Sequence, residues 1–201
     1  MKKLKEINDF FRKECFLYMN GRVSIREKSI VVIGFMGVGK TTVGELVAKK
    51  LYRTFIDIDR VIEEKFDGPI VKVFEQIGEQ AFRKLEKEVI MDICTQKLKV
   101  ISLGGGAFLQ DEIRKITLEN CIVIFLDITW KLWKERLNII IDSRPVLQGL
   151  TMEEIEDLFN RRQGIYTNHH SRLETDHLNA IEIADYIVDS LKLSYELYDP
   201  N

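Results

Sequence analysis

The chain is expected to fold as an α/β domain, a doubly wound, about five-stranded parallel sheet with helices on both faces, preceded by a helical extension. Three observations carry that expectation. Apolar runs such as SIVVI (29–33) and CIVIFLDI (121–128) are continuous rather than alternating, as in strands buried on both faces. Segments of helical period separate these runs. The glycine-rich stretch GFMGVGKTT (34–42) falls between a strand-like run and the helix-like VGELVAKKL, where a phosphate-holding loop sits in such sheets.

In chain order, Leu4, Ile7, Phe10, Phe11 and Leu17 fall near helical spacing, which predicts an amphipathic helix over 3–19 ending near Asn20-Gly21. SIVVIG is the first strand and Thr41 to Leu51 the first helix of the domain. TFIDID (54–59) is the second strand, followed by helical segments at about 60–67 and 70–77. Ala81, Leu85, Val89 and Ile93 recur every fourth residue, so 79–97 is a long helix. Strand KVISL, a helix near 110–118, strand CIVIFLDI and helix TWKLWKERL come next. Helices at about 151–168 and from 179 flank a weak strand signal at Leu173 to Thr175. Residues 1–28 are therefore an extension, and 29–201 the domain.

Composition narrows the function classes. The 201 residues are 45% hydrophobic and 31% charged, enough for one domain with a real core. Thirty basic against thirty-two acidic side chains leave a net charge of -2, which argues against a nucleic-acid binder. No segment reaches the roughly 18 apolar residues that would span a bilayer. Cys15, Cys94 and Cys121 are widely spaced and set in apolar or helical surroundings, as buried reduced thiols are. The expected location is the cytoplasm. The expected state is a monomer, its N-terminal helix either docked on the domain or serving as an association arm.

Gly34, Gly39, Lys40 and Thr41 satisfy the pattern G-x-x-x-x-G-K-[ST]. Glycines let the backbone wrap phosphate oxygens, and the helix N-terminus behind them adds favourable partial charge. Lys40 is expected to reach the β- and γ-phosphates, and the Thr41 hydroxyl to bind Mg²⁺. The expected nucleotide contacts are Gly37, Val38, Gly39, Lys40, Thr41 and Thr42.

Three clusters fall where strands should end, the edge at which such sheets bind ligands. Asp57 and Asp59 stand two apart on a predicted strand end, so both can face the same way, one toward hydrated Mg²⁺ and one toward a substrate hydroxyl. GEQAFRKLE opens the long helix and carries Arg83, with Glu86 three residues on. Gly104, Gly105 and Gly106 add no core, so they mark close approach of backbone to a ligand. Ser102 before them is a candidate for a Mg²⁺-bound water. The His169-His170 doublet reads as a surface helix terminus, and Trp130 and Trp133 as packing residues.

GFMGVGKTT, DID, GEQAFRKLE, SLGGGA, RPVL and RRQGIY occur in the order found in shikimate kinases, and residues 29–192 as a whole resemble that family. The resemblance implies a P-loop kinase fold like that of the nucleoside-monophosphate kinases. It also implies Mg-ATP as phosphoryl donor and the 3-hydroxyl of shikimate, a cyclohexene carboxylate, as acceptor. By matching motifs, Asp59 resembles the residue that orients the hydroxyl and Asp57 a second Mg²⁺ partner. Arg83 and Arg162 resemble the arginines that clamp the carboxylate, beside the backbone of Gly104, Gly105 and Gly106. Phe74 and Phe82 resemble the walls of that pocket, and Glu86 the acid that holds the arginines. Lys40 and Arg144 complete the catalytic set with Asp59, Arg144 as a lid arginine near the phosphates, and Arg136 resembles an adenine-side arginine.

The lid departs from the family pattern. LNIIIDS (137–143) places Ile139, Ile140, Ile141 and Asp142 where shikimate kinases carry arginine and lysine, and the spacing from Arg136 to Arg144 is about one residue too long for that pattern. Fewer positive charges there bear on rate and nucleotide affinity more than on reaction type. Two alternatives stay open: a related kinase for another small hydroxy acid such as gluconate, and a nucleotide-binding protein with weak transfer.

Overall fold

The computed structural model describes residues 24–137, 141, 145–147 and 149–198. The predicted helix over 3–19, Cys15, Ile139, Ile140, Asp142 and Arg144 lie outside the described residues. The domain runs β1 (Ile30–Ile33), α1 (Lys40–Leu51), β2 (Thr54–Asp57), α2 (Ile58–Phe66), α3 (Ile70–Cys94) and β3 (Lys99–Ser102). After a 3-10 turn at Ala107–Leu109 come α4 (Asp111–Asn120), β4 (Ile122–Asp127) and α5 (Trp130–Glu135). A second 3-10 turn at Pro145–Leu147 leads to α6 (Met152–Tyr166), β5 (Ser171–Glu174) and α7 (Ala180–Tyr198).

The sheet has five strands in the order β2-β3-β1-β4-β5, every neighbouring pair parallel. The chain moves one way from β1 to β2 and the other way from β2 through β3 to β4. Right-handed crossovers then put α1 on one face and α3 and α4 on the other. α7 returns to pack on α1. All four residues of β1 are buried, which is why that run is continuously apolar. β5 is an edge strand whose residues alternate between half-buried and exposed, so its sequence, SRLE, carries a weak signal.

The order reverses around β1. Its carboxyl end therefore opens onto a cleft beside the loop after β3, where open α/β sheets take ligands. Two boundaries differ from the sequence reading. β2 ends at Asp57, and α2 begins at once, because the Asp57 carboxylate accepts the N–H of Asp59 at 3.0 Å and of Arg60 at 3.4 Å. The long helix stops at Cys94 and is broken at Gly78 (φ 75°, ψ 166°), the gap left between 70–77 and 79–97.

The expectation for the histidine doublet is corrected. Both rings are half-buried, and His170 prolongs the β4–β5 ladder. Its N–H donates to the Val123 carbonyl and its Nδ1 accepts the Val123 N–H, each at 2.9 Å. Burial, reinforced by the positive charges of Lys28 and His169, pushes the imidazole down to about 3 from 6.5. The unfolded chain therefore binds a proton between those pH values that the folded chain refuses, so stability present above pH 6.5 is lost on acidification. The slope contributed is at most about 1.4 kcal/mol per pH unit. Denaturant titrations between pH 6.5 and 5 are expected to show a flatter profile for His170→Gln than for wild type. Equal slopes would remove the histidine from this role.

Cys94 and Cys121 are buried free thiols, and Cys121 donates to the Cys94 carbonyl. The hydrogen-bonded Cys121 thiol, and after it burial, push Cys94 upward, so it stays protonated.

Candidate active site

The phosphate loop is the turn from Gly34 to Gly39 between β1 and α1. Gly37 (φ 75°) and Gly39 (φ 101°) take left-handed backbone, which a side chain would strain. α1 has no capping side chain and no acid in its first turn, so its leading N–H groups are left for an anion. The buried Lys40 ammonium donates to the carbonyls of Gly34 and Phe35 at 3.0 Å each. Those carbonyl contacts are exchangeable for phosphate oxygens. The Thr41 hydroxyl donates to Asp57 Oδ2 at 2.7 Å. This pairing of a helix-start hydroxyl with a strand-end carboxylate is a hard oxygen donor set of the kind Mg²⁺ takes with its waters.

These groups line a polar cavity of about 180 Å³ with Gly37, Thr42, Ser102, Leu103 and Asp59. Ser102 is buried at the end of β3, in register with Asp57. Val38 is buried beneath the loop rather than lining it.

A second cavity of about 260 Å³ adjoins the first and holds the sequence-predicted acceptor residues. Asp59, Arg83, Glu86, Arg162, Phe74, Phe82 and the three glycines all line it. Met36, Asp59, Gly104 and Gly105 border both cavities. Asp59 reaches this border from the first turn of α2, not from a strand end as expected, because the Asp57 cap turns the chain before it.

Arg83 donates to Glu86 Oε2 at 2.7 Å and lies over the rings of Phe82 and Phe74, with centroids at 5.4 and 6.0 Å. Glu86 is 1% exposed and also accepts from Gln110 at 3.0 Å. Burial raises the Glu86 carboxyl above its usual range, and the Asp59 charge adds to that, while Arg83 pulls it back.

Arg162, on α6, is buried and has no carboxylate partner among the described residues. Nη1 donates to the Gly105 carbonyl at 3.3 Å, the guanidinium lies over Phe35, and Nε makes no hydrogen bond. Burial lowers its affinity for the proton, and the nearby Arg83 charge works the same way. Two guanidinium groups that repel one another across one cavity, one of them unpaired, make a site for an anion.

The glycines leave the space this packing needs. A Cβ on Gly104 would fall 2.7 Å from Asp59 Oδ1, and one on Gly106 would fall 2.8 Å from an Arg83 nitrogen. Arg136 caps the end of α5, half-buried, and lines neither cavity. Ile141 is partly buried against the core. The sequence did not single out Ile70, Glu79 or Val146 as lining residues or Gln110 as a partner of Glu86, and no local pattern marks them.

A sequence model of shikimate kinases matches residues 36–192. The chain is 56% identical over 179 residues to the shikimate kinase of Bacillus subtilis (strain 168), a match covering 89% of this chain and 96% of that one. The chain belongs to the shikimate kinase family. A second family member, from Oceanobacillus iheyensis, is 54% identical over 180 residues, covering 90% of this chain and 98% of its own length. The fold agrees with that of the Acinetobacter baumannii family member solved in complex with shikimate (TM-score 0.76, 34% identity, 85% of this chain and 95% of that one). Fold and phosphotransferase class are thus those of the family. Among the described residues no helix is long and apolar enough to cross a membrane.

Proposed function

We propose that the protein transfers the γ-phosphoryl group of ATP to the 3-hydroxyl of shikimate, giving shikimate 3-phosphate and ADP. The observation that carries this reading is the buried, carboxylate-free Arg162 facing the same cavity as Arg83, with Asp59 on the border toward the phosphate loop. A small ring acid satisfies all three, its carboxylate on the guanidinium groups and a hydroxyl on Asp59.

Each residue then has a task. Arg83 and Arg162 hold the carboxylate, Arg83 stiffened by Glu86 and by the two phenylalanine faces. Asp59 aligns the hydroxyl and takes its proton as the new O–P bond forms and the bond from phosphorus to the ADP oxygen breaks. Lys40 and the N–H groups of the loop and α1, from Gly37 to Thr42, stabilise the charge on the transferred group. Thr41 and Asp57 would hold Mg²⁺, which would supply neutralisation of phosphate charge. Arg136 and Arg144 serve the nucleotide side, Arg144 approaching the phosphates. The reduced thiols and the use of ATP suit a cytoplasmic monomer, with residues 1–28 an appendage to the 29–201 domain.

An ADP-release assay with shikimate, with gluconate and with no acceptor tests the reading. Shikimate-dependent turnover is expected; turnover on gluconate alone, or tight ATP binding without turnover on either acid, would reject it. Arg83→Lys is expected to raise the KM for shikimate about tenfold while that for ATP stays put, because an ammonium cannot span two carboxylate oxygens. An unchanged KM would place the carboxylate elsewhere.

A further inference from the structure

The boundary between the two cavities is two stretches of backbone in contact. A Cβ on Gly105 would stand 3.3 Å from the Met36 N. Met36 belongs to the phosphate loop and Gly105 to the loop after β3, so their contact sets how far the donor loop stands from the acceptor loop. Each of these residues has its carbonyl held from behind by a buried aromatic side chain. Trp133, wholly buried, donates from Nε1 to the Met36 carbonyl at 2.7 Å. Tyr166, 1% exposed, donates from its hydroxyl to the Gly105 carbonyl, also at 2.7 Å. Neither ring lines either cavity.

The packing leaves these donors little freedom. Trp133 meets Phe35 edge-on at 4.9 Å, stacks on Trp130 at 5.3 Å and touches Phe159 at 5.8 Å. Tyr166 packs on Phe125 at 5.4 Å and Phe108 at 6.4 Å. Phe159, Arg162 and Tyr166 are three places on one face of α6, so one rigid helix touches Phe35 of the phosphate loop, the anion site and the Gly105 carbonyl. Burial pushes the Tyr166 hydroxyl up to about 12, which keeps it a donor at any working pH.

We propose that Trp133 and Tyr166 are positioning residues for phosphoryl transfer, pinning the Met36 and Gly105 carbonyls so that the two loops meet at a fixed spacing. Phosphoryl transfer depends on alignment more than on covalent help, and small misplacements are costly. Loss of either donor therefore acts on the step itself and not on the binding of either substrate.

The assignment rests on the acceptor reading above, and the test separates the two. With wild type active on shikimate, Trp133→Phe and Tyr166→Phe are each expected to lower kcat about tenfold with both KM values within about twofold. Because both donors hold one boundary, the double variant should fall well short of the product of the two losses. Phe125→Leu, which loosens the packing around Tyr166 but removes no donor, is expected to lower Tm and keep kcat. An unchanged kcat in Tyr166→Phe, a loss confined to KM, full additivity, or an equal kcat loss in Phe125→Leu would each overturn the proposal. Should Trp133→Phe not accumulate as folded protein, Tyr166→Phe carries the test, since it removes one oxygen and keeps the ring. A wild type inactive on shikimate would instead reject the acceptor reading.

Discussion

Asp59→Asn is expected to lower kcat about 100- to 1,000-fold while the dissociation constant for ATP stays within about twofold. Among the described residues Asp59 is the one carboxylate that borders both cavities. The substitution keeps its shape and one hydrogen-bond acceptor but removes the charge that draws the hydroxyl proton. Gly104 leaves just enough room for that carboxylate, since any side chain there would meet it at 2.7 Å. The proposed nucleotide contacts, on the phosphate loop and α1 and at Arg136 and Arg144, are left intact by the substitution. Rapid-quench turnover together with equilibrium ATP binding checks both halves, and near-wild-type turnover would take Asp59 out of its role.

How far the site was legible depends on the kind of signal each residue carries. The phosphate loop was legible except for Val38, which turns inward, because such a loop is a local string whose context is the next strand and helix. Asp57 and Asp59 were legible as residues, Asp57 at the end of β2 as expected and Asp59 misplaced as to element. Period-2 reading put both on a strand, and the side-chain cap that starts α2 at Ile58 is a three-residue event that an apolar run hides. The three glycines announced close approach, though not that their neighbours would be Asp59 and Arg83. Arg162 was singled out through the family resemblance alone, because only the packing of α6 against Phe35 and Gly105 buries it and leaves Arg161 outside. His170 misled for a similar reason, since its ring completes a ladder that only the register of β5 on β4 defines. Residues that act through carbonyls, such as Trp133 and Tyr166, leave no pattern beyond being aromatic at helical spacing.

Arg162→Met is expected to split stability from function in opposite directions. Removing one partner of a buried, hydrogen-bonded charge contact costs about 2–5 kcal/mol, so kcat/KM for shikimate should fall at least about 30-fold, through KM. In the ligand-free protein the same guanidinium is buried beside a like charge, with Nε unbonded. Exchanging such a group for an apolar side chain of similar length is neutral to stabilising. The Gly105 carbonyl keeps its bond from Tyr166, so the substitution leaves no acceptor unmet. The contact with Phe35 survives as apolar packing. Tm should therefore rise, by about 2–4 °C for each kcal/mol gained in a chain of this size. Thermal melts in the presence of shikimate add the linked half of the test, because the acid should raise the Tm of wild type and leave that of Arg162→Met unchanged. A lower Tm with an unaltered KM would mean that Arg162 is a structural residue and that the acceptor carboxylate is bound by other groups.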